Sequence, residues 1–230
     1  MTNQQTHSNA KQADRDDVFS QAHRSVFCTD KQDSYRWYQV FNLIPVSENP
    51  DNLPIQQAPN VTVCMGLLSD DLTQKSHLQI SYFIAKTPLF DLQIINDNHR
   101  QADFLWQENC LECFIEYGKA DAYFESNVAL DGRYNAYHFD RYRTPDVLPP
   151  RQAKFCDLLI NQTIPYDVLD GFYSRHVCLT SEQTTLPTRL NPTVILYHNG
   201  TAIYYAPCHA NPPDFHDKDY WQTIDYLLKS

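Results

Sequence analysis

The sequence predicts an all-β protein, an antiparallel β-sandwich of jelly-roll type, and three observations carry that prediction. Short apolar runs rich in Val, Ile, Tyr and Phe alternate with turn-forming segments from Tyr35 onward. TVILYHNGTAIYYA sets Asn199-Gly200 between two β-rich runs, the strongest hairpin signal a short stretch can give. LWQENCLECFIEYG, Leu105 to Gly118, and the following AYFESNVA both alternate with the two-residue period of a strand.

Taken in order, residues 1–25 are polar, poor in aromatics and rich in Gln, Asn and Asp, which predicts a disordered tail and leaves 26–230 as one domain. YRWYQVFNLIPV reads as a strand braked at Pro45, and PDNLPIQQAPN, with three prolines in eleven residues, reads as a loop. VTVCMGLL and HLQISYFIA are strands on either side of the turn-forming SDDLTQKS. AKFCDLLINQ is the one helix candidate, short and weakly capped. A type I′ turn centred on Asn199-Gly200 places Leu196 opposite Ile203 and Val194 opposite Tyr205.

Composition bounds the function. A chain of 230 residues with 42% hydrophobic and 20% charged residues suits one large domain. A net charge of -10 and a pI near 5.2 argue against a nucleic-acid partner and against an anionic membrane surface, both of which need clustered Lys and Arg. The first twenty residues have no apolar stretch of secretory-signal length, and no run approaches a spanning helix, so the expected location is the cytoplasm. Seven cysteines, an odd number without tight spacing, agree with a reducing compartment.

The Cys110-x-x-Cys113 pair raises a redox or zinc reading that strand alternation disfavours. The two thiols point to opposite faces, and a second ligand pair at matching spacing is absent. Cys110, Glu112, Phe114 and Glu116 share one face, and Leu111, Cys113, Ile115 and Tyr117 the other. A hairpin centred between Lys119 and Ala120 brings Tyr123 to Glu116, Glu125 to Phe114 and Asn127 to Glu112. One face then displays Glu112, Tyr123, Glu125 and Asn127. Leu111, Cys113 and Ile115 with Phe124 and Val128 supply the apolar face that meets a second sheet. Carboxylates and amides that accept from hydroxyl pairs, beside rings that stack on a pyranose, are the chemistry of sugar recognition. DGRYNAYHFDRYRTPD adds Tyr134, Tyr137, Phe139, Tyr142 and Arg143.

RQADFLWQENCLECFIEYGKADAYFESNVALDGRYNAYHFDRYR resembles the central block of bacterial DOMON-like proteins related to the type-nine carbohydrate-binding modules. The positions that match in order are Arg100, Asp103, Leu105-Trp106, Cys110-Leu111-Glu112, Tyr123, Glu125, Asn127, Gly132, Tyr137, Phe139 and Tyr142-Arg143. The ending looks similar at His209, Pro213, Asp214, Phe215 and His216, and the resemblance spans roughly residues 78 to 221. The usual Ser-Pro-Ser-Gly turn is Ala129-Leu130-Asp131-Gly132 here, and a Tyr134 stands where the pattern has tryptophan. The resemblance implies a β-sandwich, no catalysis and no cofactor; some DOMON domains bind haem, and by the same analogy a calcium site built from carboxylates such as Asp103 or Asp131 is open but unassigned.

Four functions follow as expectations. The first is a non-catalytic module that holds a saccharide or small polar ligand through Trp106, Glu112, Tyr123, Glu125, Asn127, Tyr137 and Arg143; in its structural alternative, Glu112, Glu125 and Arg143 form a paired network. The second is a glycoside hydrolase that uses Glu112 and Glu125. The third is a haem domain through Met65, or a metal site from His209, Asp214, His216 and Asp217. The fourth is a sandwich that recruits protein partners without a ligand.

Overall fold

The aromatic run that begins at Tyr35 becomes a strand that serves two sheets. β1 (Tyr35–Ser47) pairs over Tyr35 to Leu43 with β2 (Val61–Asp70), and over Ile44 to Ser47 with β10 (Thr201–Ala206). The computed structural model describes residues 35–47, 55–70, 75–90, 92, 99–118, 121–154, 158–165, 170–182 and 185–226. The expected N-terminal tail, its boundary at residue 26 and the Lys119-Ala120 hairpin centre lie outside them.

The first sheet runs β1-β2-β3-β8-β7, with β3 (Lys75–Ala85), β7 (Leu159–Pro165) and β8 (Phe172–Ser181). The second runs β6-β5-β4-β9-β10-β1, with β4 (Cys110–Tyr117), β5 (Tyr123–Ala129), β6 (Tyr134–Phe139) and β9 (Pro187–His198). A two-residue strand, β11 (Gln222–Thr223), pairs with β9, and every strand pairing is antiparallel. The all-β sandwich class stands.

The expected helix in AKFCDLLINQ is corrected: Leu159–Pro165 is a strand hydrogen-bonded to β8, from Leu159–Thr180 to Pro165–Arg175. Leu158 and Ile160 are buried while Leu159 between them is half-exposed, a two-residue period. An unpaired β8 edge offers a ladder that a short, poorly capped helix cannot match. The other readings keep their register. Ile203 faces Leu196 and Tyr205 faces Val194, and the turn residues Asn199 and Gly200 have φ of 49° and 79°, as a type I′ turn requires.

β4 shows how the sequence divides the molecule. All eight of its residues are buried, because it lies between two other strands and under cover on both faces. Leu111, Cys113, Ile115 and Tyr117 join Phe124 and Val128 in the core between the sheets, against Met65, Leu78 and Ile80 of the first sheet. Phe114 belongs to a separate cluster on the other face with Tyr123, Tyr137, Phe139 and Trp221. The two thiols sit in separate clusters, as alternation requires.

Leu111, 1% exposed, loses about 2–5 kcal/mol of stability on replacement by alanine, through lost transfer energy and a residual cavity. Leu148, 75% exposed, changes stability by less than about 0.5 kcal/mol in the same replacement. Urea unfolding of the two variants checks the contrast.

Candidate functional site

Register stacks the outer face of the second sheet into rows that run across four strands. One row is Asn135–Asn127–Glu112–Thr193, and its neighbour is Tyr137–Glu125–Phe114–Asn191. A third, Ala129–Cys110–Ile195–Tyr204, crosses β5, β4, β9 and β10. Glu112 and Glu125 are therefore diagonal neighbours on paired strands, a spacing of roughly 7–8 Å in such ladders.

A cavity of about 330 Å³ opens above these rows, at the lower end of the roughly 300–1,000 Å³ common for small-molecule sites. Glu112, Glu125 and Phe114 form its floor. Trp106 and Phe139 flank it, Pro145 to Leu148 form one wall, and Pro213 to His216 form the other. Val147 and Leu148 are exposed at the mouth.

The wall elements are tied down from different parts of the chain. Trp106 lies on a 3-10 turn, Leu105–Gln107. The turn is anchored by the Asp103 carboxylate, which accepts from Asn135 Nδ2 at 2.8 Å and from the Tyr137 hydroxyl at 3.0 Å. Asp214 joins the two walls: it accepts from the Tyr142 hydroxyl at 2.5 Å, from Arg143 Nη2 at 2.9 Å and from the His216 backbone N–H at 3.0 Å. Burial acts to raise the Asp214 carboxyl, but these donors outweigh it and hold the group below its ordinary value. Arg143 adopts φ 46°, uncommon for a non-glycine residue, and its backbone N–H donates to the Tyr123 hydroxyl at 3.2 Å.

His216 connects this wall to the floor. Its Nδ1 is 2.6 Å from the Tyr123 hydroxyl, and its Nε2 is 3.7 Å from Glu125 Oε2. Burial first, and then the positive charge of Arg143, push the imidazole down to about 3, so it is neutral near pH 7. The Tyr123 hydroxyl thus joins the Arg143 backbone N–H, from which it accepts, to the His216 ring.

The floor carboxylates have few donors. Glu112 Oε2 accepts from Thr193 Oγ1 at 3.3 Å, and Glu125 Oε1 from Asn127 Nδ2 at 2.7 Å. Burial pushes Glu125 up to about 7, against the pull of Asn127 and Arg143. Burial and the neighbouring Glu125 charge push Glu112 well above the carboxylate range, against hydrogen bonds from Thr193 and Cys110.

Of the seven residues expected at the site, Trp106, Glu112, Glu125 and Arg143 line the cavity. Tyr123, Asn127 and Tyr137 lie beneath it, fully buried, and act through neighbours: Tyr123 on His216, Asn127 on Glu125, Tyr137 on Asp103. The Glu112–Glu125–Arg143 network is not formed, since Arg143 pairs with Asp214. Sequence reasoning gave no cavity role to Phe114, Ile195, Tyr204 or Pro145 to Leu148. Asp214, Phe215 and His216 entered only through the resemblance and as loop metal ligands, and the density of prolines and aromatics in both wall loops was the available signal.

The metal readings do not fit. Asp131 is held by Arg133 and Asp103 by Asn135 and Tyr137. His209 Nε2 is hydrogen-bonded to the Ile44 carbonyl, and Asp217 accepts from Asp219 N–H. Among the described residues no three His, Cys, Asp or Glu side chains converge on a metal-sized position. Met65 is fully buried between the sheets, packed as a core-filling side chain among Val63, Leu67, Leu78 and Ile80. No described helix is long and apolar enough to cross a membrane.

No protein-family model and no curated protein matches the sequence. One matching solved structure is a Bacteroides uniformis protein described as a "putative carbohydrate-binding protein". It is 11% identical, with a TM-score of 0.47, over 81% of this chain and 84% of that one.

The Glu125 carboxyl gives a pH signature. Its folded value of about 7 stands above the ordinary 4.5, so between those values the native state holds a proton that the unfolded state has released. Its contribution to stability is complete below pH 4.5 and declines as pH rises to about 7. Glu125→Gln, which removes the titration and keeps an acceptor for Asn127, melts higher than the parent at pH 8. The gain, on the order of 3 kcal/mol at most, vanishes near pH 4.5. Melting curves of both proteins across that range check it.

Proposed function

We propose that this protein is a non-catalytic binding module, of DOMON-like kind, that takes a saccharide or a similar small polar ligand in the cavity above β4 and β5. The observation that carries the reading is the composition of that cavity. Glu112 and Glu125 supply hydroxyl-accepting oxygens on the floor, while Trp106, Phe139, Phe215 and Tyr204 supply flat apolar surface around them. A sugar ring has the same two-sided chemistry, with hydroxyls at its edge and C–H groups on its face. The rigid strand floor and the Asp214 bridge hold these groups in place before a ligand arrives, which lowers the ordering cost of binding. The cytoplasmic location read from the sequence belongs to the same proposal.

A second reading, a glycoside hydrolase, is favoured by one observation. Two cavity carboxylates are diagonal across paired strands, and both hold protons more tightly than usual. Chromogenic glycosides separate the two readings: turnover abolished by Glu112→Gln and by Glu125→Gln establishes the hydrolase, and no turnover removes it.

For the binding reading, calorimetric titration with an oligosaccharide panel is expected to give at least one ligand, which raises the melting temperature at saturation. Trp106→Ala is expected to weaken that ligand about tenfold, at about 1.4 kcal/mol, and to lower the unliganded melting temperature as well, since the ring also packs on Tyr137. A panel without a ligand, or a ligand indifferent to Trp106→Ala, sinks the assignment of this cavity.

A further inference from the structure

We propose that the ligand of this cavity carries a cationic amino group seated between Glu112 and Glu125, so that the compound it takes is an amino sugar with a free ammonium. The inference rests on the saccharide reading above and narrows it to one chemical class.

Three glutamates sit on the outer face of β4 and β5, each almost fully buried: Glu112 at 2%, Glu116 at 4% and Glu125 at 5% exposure. Glu116 is matched by two cations, with Arg189 Nε at 2.5 Å and Lys218 Nζ at 3.2 Å. Among the described residues, neither Glu112 nor Glu125 forms an ion pair with a lysine or arginine. Glu112 has the Thr193 hydroxyl, and Glu125 has the Asn127 amide and the His216 ring at 3.7 Å. The cation in the cavity wall, Arg143, is bonded to Asp214 at 2.9 Å. Asp146 in the same wall adds a further negative charge.

Few donors of this chain reach Glu112 and Glu125: the Thr193 hydroxyl and the Cys110 thiol for one, the Asn127 amide for the other. A buried carboxylate without a counter-charge is costly, and these two face the cavity rather than solid protein. An ammonium brings three N–H donors to two carboxyls that no lysine or arginine among the described residues pairs with, and its positive charge favours their ionised forms. Phe114 beneath and Trp106, Phe139 and Phe215 around it give ring faces that attract a cation in a desolvated site. A bare metal ion fits less well, since it needs more oxygen ligands than the pair provides.

The test is calorimetric titration of the full chain at pH 6.5, where the glucosamine amino group carries its proton to a substantial extent, with three matched oligomer series: glucosamine oligomers, their N-acetylated forms, and cello-oligosaccharides. Propylammonium and calcium chloride serve as controls. The glucosamine series is expected to bind at least a hundredfold tighter than either neutral series. That preference is expected to fall at least tenfold in Glu112→Gln and in Glu125→Gln, whose thermal melts report that they fold. The comparison among probes on the unaltered protein stands even if a variant fails to fold. Equal or tighter binding of the neutral series overturns the inference and leaves the saccharide reading intact. Propylammonium bound with no oligosaccharide overturns the saccharide reading and supports the ammonium seat alone. Calcium binding abolished by Glu112→Gln overturns the inference in favour of a metal. No binding by any probe overturns both readings.

Discussion

The constraint on which the rest of the structure depends is the row of carboxylates that β4 and β5 present on a face almost closed to water. A strand buried on both faces can satisfy its backbone through its neighbours, but each ionisable side chain still needs a partner of its own. The elements packed over this face can be understood by how they meet that need. β9 contributes Arg189 to Glu116 and Thr193 to Glu112, both set directly opposite by register. The 3-10 turn at Lys218–Tyr220 brings Lys218 to the same Glu116, and its Nζ also reaches the Asp121 carbonyl at 2.6 Å. At one end of the face, then, charge is neutralised and the surface is filled.

At the other end the matching stops and a cavity begins. Glu112 and Glu125 are as buried as Glu116 yet lie beneath open volume, with the neutral His216 imidazole 3.7 Å from Glu125. Carboxylates with and without a lysine or arginine partner thus occupy neighbouring positions on one sheet, among the described residues. The buried aromatic cluster of Phe114, Tyr123, Tyr137, Phe139 and Trp221 marks the boundary. Stacking of Tyr123 on Phe139, at 4.8 Å between centroids and 8° between planes, makes that boundary stiff.

The cavity walls come from segments far apart in the chain, and Asp214 joins them. One carboxylate holds Tyr142 and Arg143 of the loop after β6 and, through the His216 N–H, fixes its own loop. The Phe215 carbonyl adds a second attachment, accepting from Trp221 Nε1 at 2.8 Å and Asn191 Nδ2 at 3.3 Å. Loops without regular structure are thereby held over the strands that supply the floor.

The sequence by itself determined whatever depends on short-range periodicity. The two-residue alternation of Leu111 to Tyr117 sent its residues to opposite faces, and Asn199-Gly200, which tolerates positive φ, set the register of β9 and β10. Glu112, Tyr123, Glu125 and Asn127 were likewise placed on one face by counting. Tertiary structure decided which of those residues meet the cavity and which lie under it, because that depends on what packs above the face. It gave Arg143 to Asp214 rather than to the glutamates, and it made a strand of Leu159–Pro165 because β8 offered an edge. It also drew Asp214 to His216 across the sheet to Tyr123 and Glu125, some ninety residues earlier in the chain. Periodicity reports the direction of a side chain relative to its neighbours in sequence; the partner it finds is set by long-range contacts that no local pattern encodes.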